Sequence, residues 1–155
     1  MKVCRGFTLL ELMVAIAVLA ILATVGVPSF RDLIQNNRVT TQTNELVTAL
    51  NFARAEAVKR GRTVRVTVTQ AAPGWTATVF LDPAGDNETL RVVNRQGSIV
   101  SLDADGEVYF LGTGVPVAVA TFNLEPGPSC TGQKRRQIAI APSGQATTTR
   151  EACGG

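Results

Sequence analysis

Hydrophobic and polar positions divide the chain into three regimes. From Phe7 to Val27 the residues are almost all apolar, and the one charge is Glu11. At about 1.5 Å rise per residue, a helix over that run just covers a hydrocarbon core of roughly 30 Å. From Ser29 to Arg60 the period stays helical, with Leu46, Val47, Leu50, Ala53, Ala57 and Val58 marking one buried face. Residues 35–45, QNNRVTTQTNE, are polar nearly all round. A helix there is expected to stand in solvent or touch neighbouring subunits rather than its own core. Past Gly61 the period changes to two.

Val64, Val66 and Val68 face one way and Thr63, Arg65 and Thr67 the other, the alternation of a half-buried antiparallel strand. Ala71-Ala72-Pro73-Gly74 is a turn, and Trp75, Ala77, Val79 and Leu81 form a second strand. Further strands are expected at Leu90–Asn94, Ser98–Leu102, Glu107–Leu111, Val115–Asn123 and Arg136–Ala141. Val115-Pro116-Val117 puts a proline at a strand start or edge, where its missing donor is tolerated. One long helix followed by short strands gives an α+β class with segregated elements, the helix's apolar face packed on an antiparallel sheet.

Helix punctuation sharpens these limits. Pro28 removes a backbone donor and crowds the preceding turn, so Gly26-Val27-Pro28 is expected to kink or locally melt the helix without ending it. Glu56 and Arg60 form an i,i+4 pair, Lys59 and Arg60 complement the helix dipole, and Gly61 closes the helix.

The apolar N-terminal run admits several readings. A basic start (Lys2, Arg5), an apolar stretch and small residues near Ala20 and Ala23 describe a secretory signal peptide, a plain membrane anchor or a buried core helix. Glu11 speaks against the first two, because a carboxylate inside a membrane is expensive and needs a partner. Length speaks against the third, since core helices rarely stay apolar on all faces for so long. Lys2 and Arg5 argue that the short N-terminal side stays in the cytoplasm, leaving everything past Pro28 on the far side.

Arg5-Gly6-Phe7-Thr8-Leu9-Leu10-Glu11-Leu12 resembles the prepilin leader and N-terminus of type IV pilins and type II secretion pseudopilins. The resemblance implies that a prepilin peptidase cuts between Gly6 and Phe7 and that Phe7 becomes N-methylated. It also implies that Glu11 is the family's charged residue at the fifth position of the mature chain. Cleavage frees a cationic amine at the end of an apolar helix, and a carboxylate on a neighbouring subunit can neutralise it in low dielectric.

Asn51-Phe-Ala-Arg-Ala-Glu-Ala-Val-Lys-Arg-Gly61 is similar to the helix end of the GspH/FimT family of minor pilins and pseudopilins, where Ala-Arg-x-Glu-Ala precedes the first strand. Taken alone, FARAEAV is also a plain amphipathic helix. Together the two resemblances imply a pilin-like organisation. Residues 1–6 are a leader, 7–27 a transmembrane and assembly helix, 28–61 an amphipathic helix, and 62–155 an antiparallel β domain. Expected partners are other pilins or pseudopilins, the prepilin peptidase and, before assembly, the inner membrane, with the C-terminal domain in the periplasm. A type IV pilus and a type II secretion pseudopilus both remain open.

Charge and cysteine usage follow from that organisation. The chain has 155 residues and a formal charge of +3, but Lys2 and Arg5 leave with the leader, so the mature chain keeps 13 basic against 12 acidic side chains. Cys4 also leaves, and Cys130 with Cys153 reads as a disulfide in an exported domain. Histidine is absent, which removes the commonest general base and metal ligand. No nucleophile motif or phosphate-binding glycine loop is present either, so neither enzyme activity nor a cofactor is expected.

Two loops carry charge. Asp82-Pro-Ala-Gly-Asp-Asn-Glu88 offers oxygens suited to calcium, yet its spacing does not match the alternating-ligand loop, and a solvated turn with no metal is expected. Lys134-Arg135-Arg136 is the densest positive charge, either a phosphate-contacting patch or a solvated strand start. Some FimT-type members of the family that the chain resembles are competence pilins that bind DNA through a basic Gly-Arg-x-Arg sequence near the C-terminus. Here Ser143-Gly144-Gln145-Ala146-Thr147 stands at the matching position without either arginine, and no aromatic flanks the cluster for stacking. DNA binding through these residues is therefore expected to be weak and salt-sensitive at most.

Overall fold

The computed structural model describes residues 7–71, 73–81, 88–127, 130, 132 and 134–153. The chain falls into two units, one ending at Gln35 and one beginning at Asn36. Helix α1, Leu9–Arg60, contains Pro28 in its interior. The assignment is helical on both sides of the proline, so no melted segment occurs at Gly26-Val27-Pro28. Proline's fixed φ near −65° is itself helical, and the lost donor costs only one bond of the ladder. The C-terminal end closes as expected: Arg62 N–H donates to Ala57 O (3.2 Å) and Gly61 N–H to Val58 O (3.4 Å). This paired closure is a Schellman cap.

Among the described residues, eight strands follow in two four-stranded antiparallel sheets rather than one. They are β1 (Val64–Gln70), β2 (Trp75–Leu81), β3 (Glu88–Asn94), β4 (Val100–Leu102), β5 (Gly106–Phe110), β6 (Thr121–Pro126), β7 (Arg135–Ile140) and β8 (Ala146–Glu151). The first sheet has the order β3-β2-β1-β5 and the second β4-β6-β7-β8. Val64, Val66 and Val68 are buried, as their alternation requires. The strand expected over Val115–Asn123 is instead displaced to β6. Pro116 makes one isolated bridge with Phe110, and Val115, Val117 and Val119 are exposed. A residue without an N–H cannot sustain a ladder there.

The core is a single apolar cluster of α1 residues from Val39 onward with the inner faces of both sheets. Its helical stripe is Val39, Thr43, Leu46, Leu50, Ala53 and Ala57, at alternating spacings of four and three. The stretch 35–45 therefore does not stand free of its own core. Thr43 is buried because its hydroxyl donates to Val39 O (2.7 Å), leaving a side chain shaped like valine. Gln42 accepts from the indole Nε1 of buried Trp75 (2.8 Å) and donates to Ser98 Oγ (2.6 Å). Glu45 takes a bidentate pair from Arg95, whose Nε lies 2.6 Å from Oε2, and this bond holds the Arg95 pKa above its ordinary value. Val58, expected on the buried face, is 53% exposed.

Candidate functional site

The N-terminal stretch of α1 begins with a cap. Thr8 Oγ1 accepts from Glu11 N–H (3.2 Å), and Thr8 O accepts from Leu12 N–H (3.1 Å). Thr8 is thus the N-cap and Glu11 the third helical residue, the Thr-x-x-Glu spacing of a capping box. The sequence carried that signal, and reading Glu11 only as a charge passed over it. Glu11 is exposed and makes no ion pair among the described residues.

Phe7 and the helical side chains from Leu9 to Thr24 are all exposed. One 18-residue window of this helix has a mean hydropathy of 2.5. By length and composition the helix can cross a membrane. Its one hydroxyl in the second half, Thr24, donates to Ile21 O (2.7 Å), so it adds no unsatisfied donor to an apolar surface. Contiguous apolar surface of this extent marks a membrane or protein contact. Gly6, the residue before the expected cleavage point, lies outside the described residues.

Within the domain, the Ala-Arg-x-Glu-Ala segment has a structural purpose. Ala53 and Ala57 are buried, and Glu56 accepts from Arg60 Nε (2.8 Å), a bond that holds its carboxyl below the ordinary value. Arg54 donates from Nε to Gly114 O (3.0 Å) and from Nη2 to Ser143 O (2.9 Å). It thereby ties two hairpin loops of like construction, Leu111–Val115 and Ala141–Gln145. In each, the first residue and the last are joined by a backbone bond, and the glycine lies at φ +82°. A Cβ on Gly144 would come within 2.2 Å of Gly114 O, so glycine is required there by space as well as by φ.

The basic cluster is not a common exposed patch. Lys134 is 9% and Arg136 6% exposed, on the β7 face that also carries buried Ile138 and Ile140. Arg136 Nη2 lies 3.4 Å from Thr40 Oγ1 and Nη1 3.2 Å from Arg135 O. Arg135 donates from Nη2 to Asp103 Oδ2 (2.9 Å), which also accepts from Asn123 Nδ2 (2.7 Å). Asp103, unremarked in the sequence, is the polar tie between the loop after β4 and strands β6 and β7. Cys130 and Cys153 form a disulfide, Cα–Cα 5.6 Å, and Cys153 N–H donates to Gly132 O (2.9 Å).

Of the acidic loop, residues 82–87 lie outside the described residues, while Glu88 opens β3 and faces Arg60 Nη1 at 3.6 Å. Among the described residues no group of three or more potential metal ligands occurs.

Comparison with known proteins agrees with this anatomy. The family described as Type II transport protein GspH matches residues 42–144, and the Prokaryotic N-terminal methylation motif matches residues 1–27. A Fimbrial protein of Pseudomonas aeruginosa is 32% identical over 106 residues, covering 64% of this chain and 66% of its own length. The chain thus spans about two thirds of that curated relative. A Type IV major fimbrial protein FimA of Dichelobacter nodosus is 28% identical over 114 residues, 67% of this chain and 68% of its own. The crystal structure of the type IV minor pilin FimU of P. aeruginosa superposes with a TM-score of 0.57 at 21% identity, covering 74% of this chain and 89% of that one. That likeness extends to the fold: a long N-terminal helix packed on antiparallel sheets.

Proposed function

Because the chain belongs to the family described as type II transport protein GspH, whose members are structural subunits and not enzymes, we propose that it is a minor pilin that helps initiate or build a type IV pilus. The observation that carries this reading is the helical surface from Leu9 to Thr24, apolar but for Glu11 and Thr24 and wholly exposed. It lies within residues 1–27, the stretch that matches the N-terminal methylation motif. Such a helix is unsatisfied in water and needs lipid first and other helices afterwards.

In this reading the prepilin peptidase cuts between Gly6 and Phe7, and the freed, N-methylated amine of Phe7 is neutralised by Glu11 of a neighbouring subunit. Before assembly the chain crosses the inner membrane once, with the domain in the periplasm, where the Cys130–Cys153 bond suits the oxidising compartment. Intact mass of the membrane-extracted protein tests the first step. A chain beginning at N-methylated Phe7 is expected, and Gly6→Leu should retain the leader; a wild-type start at Met1 or near Thr24 would defeat the proposal. Glu11→Ala should insert into the membrane but enter sheared fibres poorly. Normal incorporation would remove the role assigned to the carboxylate.

The family's description favours a second reading, a minor pseudopilin of a type II secretion system. Deletion of the gene separates the two: loss of surface fibres with normal secretion supports the first, and the converse the second. Burial of Lys134 and Arg136 and the Arg135–Asp103 pair weigh against a DNA-binding competence pilin. No gel shift of DNA is expected at physiological ionic strength. A salt-resistant complex abolished by neutralising all three residues would restore that reading.

A further inference from the structure

Residues 111–120, the loop that leads into β6, turn apolar side chains outward although their backbone is held. Val117 is 62% and Val119 65% exposed; Val115 and Ala118 are exposed as well. Backbone bonds fix the segment: Leu111 N–H donates to Val115 O, Val117 N–H to Tyr109 O and Ile140 N–H to Ala120 O, each at 2.9 Å. Pro116, buried and bridged to Phe110, pins its middle. Exposure of these valines therefore belongs to the folded shape. Val58 of α1 extends the surface. It is 53% exposed and lies against the hairpin loop, 2.9 Å from where a Cβ on Gly114 would stand. Leu111, at the start of that loop, is exposed too. From Val108 to Leu124 the chain carries no charge. Arg54, one turn before Val58, spends its guanidinium on Gly114 O and Ser143 O and forms a fixed polar rim.

We propose that this surface is where the domain meets the domain of a neighbouring subunit of the same fibre, through a partner surface that is itself apolar and uncharged. The inference rests on the fibre-subunit reading above and adds the face of the domain that such a reading leaves open. Size selects this occupant. Val58, Leu111, Val115, Val117 and Val119 together expose on the order of 400 Å², an extent at which a polar-rimmed patch marks a contact site. That is about half of the roughly 800 Å² that one partner buries in a stable interface. A free-standing dimer of this chain needs more. Subunits already joined through their N-terminal helices need less, because a tethered second contact forms at high effective concentration. Chemistry selects the partner's surface: a charged one would lose its water here and gain no counter-charge from residues 108–124.

The test expresses the full chain in a cell that assembles the fibre and compares its amount in sheared fibres with its amount in the membrane. Val117→Asp with Val119→Asp should lower incorporation about tenfold, since two carboxylates would enter an apolar contact. Val92→Asp, the same change at a 53% exposed valine of β3, should enter as wild type does. Both proteins should unfold in detergent within about 2 °C of wild type, as exposed substitutions do. If the Asp pair unfolds earlier, a cross-link decides. Val117→Cys adds a free thiol while Cys130 and Cys153 are bonded to each other. A photocrosslinker on that thiol should join the chain to a second pilin-type subunit in the fibre, and one on Val92→Cys should not. Stable Asp variants that enter fibres equally, or no pilin cross-link from position 117, would overturn this surface and leave the fibre reading standing. Absence of the wild-type chain from fibres would overturn both.

Discussion

Residues 9–27 and 36–60 of α1 are stretches of one helix with opposite fates. The first carries a single charge, Glu11, in an otherwise apolar run, and its described side chains are all exposed. The second is mostly polar, and its Val39-to-Ala57 stripe lies in the core. Hydrophobicity alone ranks them the wrong way round. What decides burial is whether a partner covers the stretch: the two sheets cover the second, while the described side chains of the first are exposed. The contrast also explains why polar Thr43 can be buried while Leu19 is not. A satisfied hydroxyl costs little inside, whereas an uncovered leucine waits for lipid or another subunit.

The sharpest way to break this contrast is to shorten one leucine in each stretch. Leu50→Ala removes a core side chain and should cost about 3 kcal/mol of domain stability. Leu19→Ala should cost the domain nothing. Urea unfolding of the full chain in detergent measures both, with Trp75, the chain's one tryptophan and fully buried, as reporter. Equal losses would mean that the two stretches share a folding unit.

Reduction of Cys130–Cys153 should cost nearly as much. Its separation of 23 residues gives about 3 kcal/mol from the restricted unfolded chain. The loss should appear only in the domain transition, with the apolar stretch remaining helical by far-UV circular dichroism. An unchanged urea midpoint after full reduction would show that the bond restrains only the chain end.

Arg54→Met tests the domain stretch without touching its apolar stripe. It removes charged bonds to Gly114 O and Ser143 O and should cost about 2 kcal/mol. Amide exchange should rise at both loops together, since one guanidinium ties them. Faster exchange at only one loop would show that the loops hold independently.

How much of this was legible can be judged residue by residue. The helix end at Gly61 and strands β1 and β2 follow from period and cap, because local geometry and burial point the same way there. Strand β8, Ala146-Thr-Thr-Thr-Arg-Glu151, was missed because an edge strand paired only with β7 needs no apolar alternation. The sequence pattern shows the buried stripe only from Leu46, because Thr43 reads as polar until its bond to Val39 O is known. The basic cluster was partly legible: Lys134, Arg136, Ile138 and Ile140 alternate, so Arg136 shares the inward face. Division into two sheets was not, since strand order depends on pairings that no local pattern records.

The smallest effect concerns the start of the apolar stretch, where Glu11 has two possible duties. Its backbone N–H donates to Thr8 Oγ1, and its side chain stands at the capping-box position, from which a carboxylate can reach back to the N-cap N–H. It also carries the charge assigned to the neighbouring Phe7 amine. Thr8→Val keeps the shape and removes the acceptor, which should cost about 1 kcal/mol of local helix stability. That loss should fray the first turn while leaving fibre incorporation only slightly reduced. Glu11→Gln separates the duties, because glutamine serves a capping box as glutamate does but cannot neutralise an amine. If charge is the main duty, Glu11→Gln should assemble as poorly as Glu11→Ala while its first turn stays as ordered as wild type by amide exchange in detergent. Full incorporation of Glu11→Gln into sheared fibres would assign the residue to the cap and leave the Phe7 amine to find another partner.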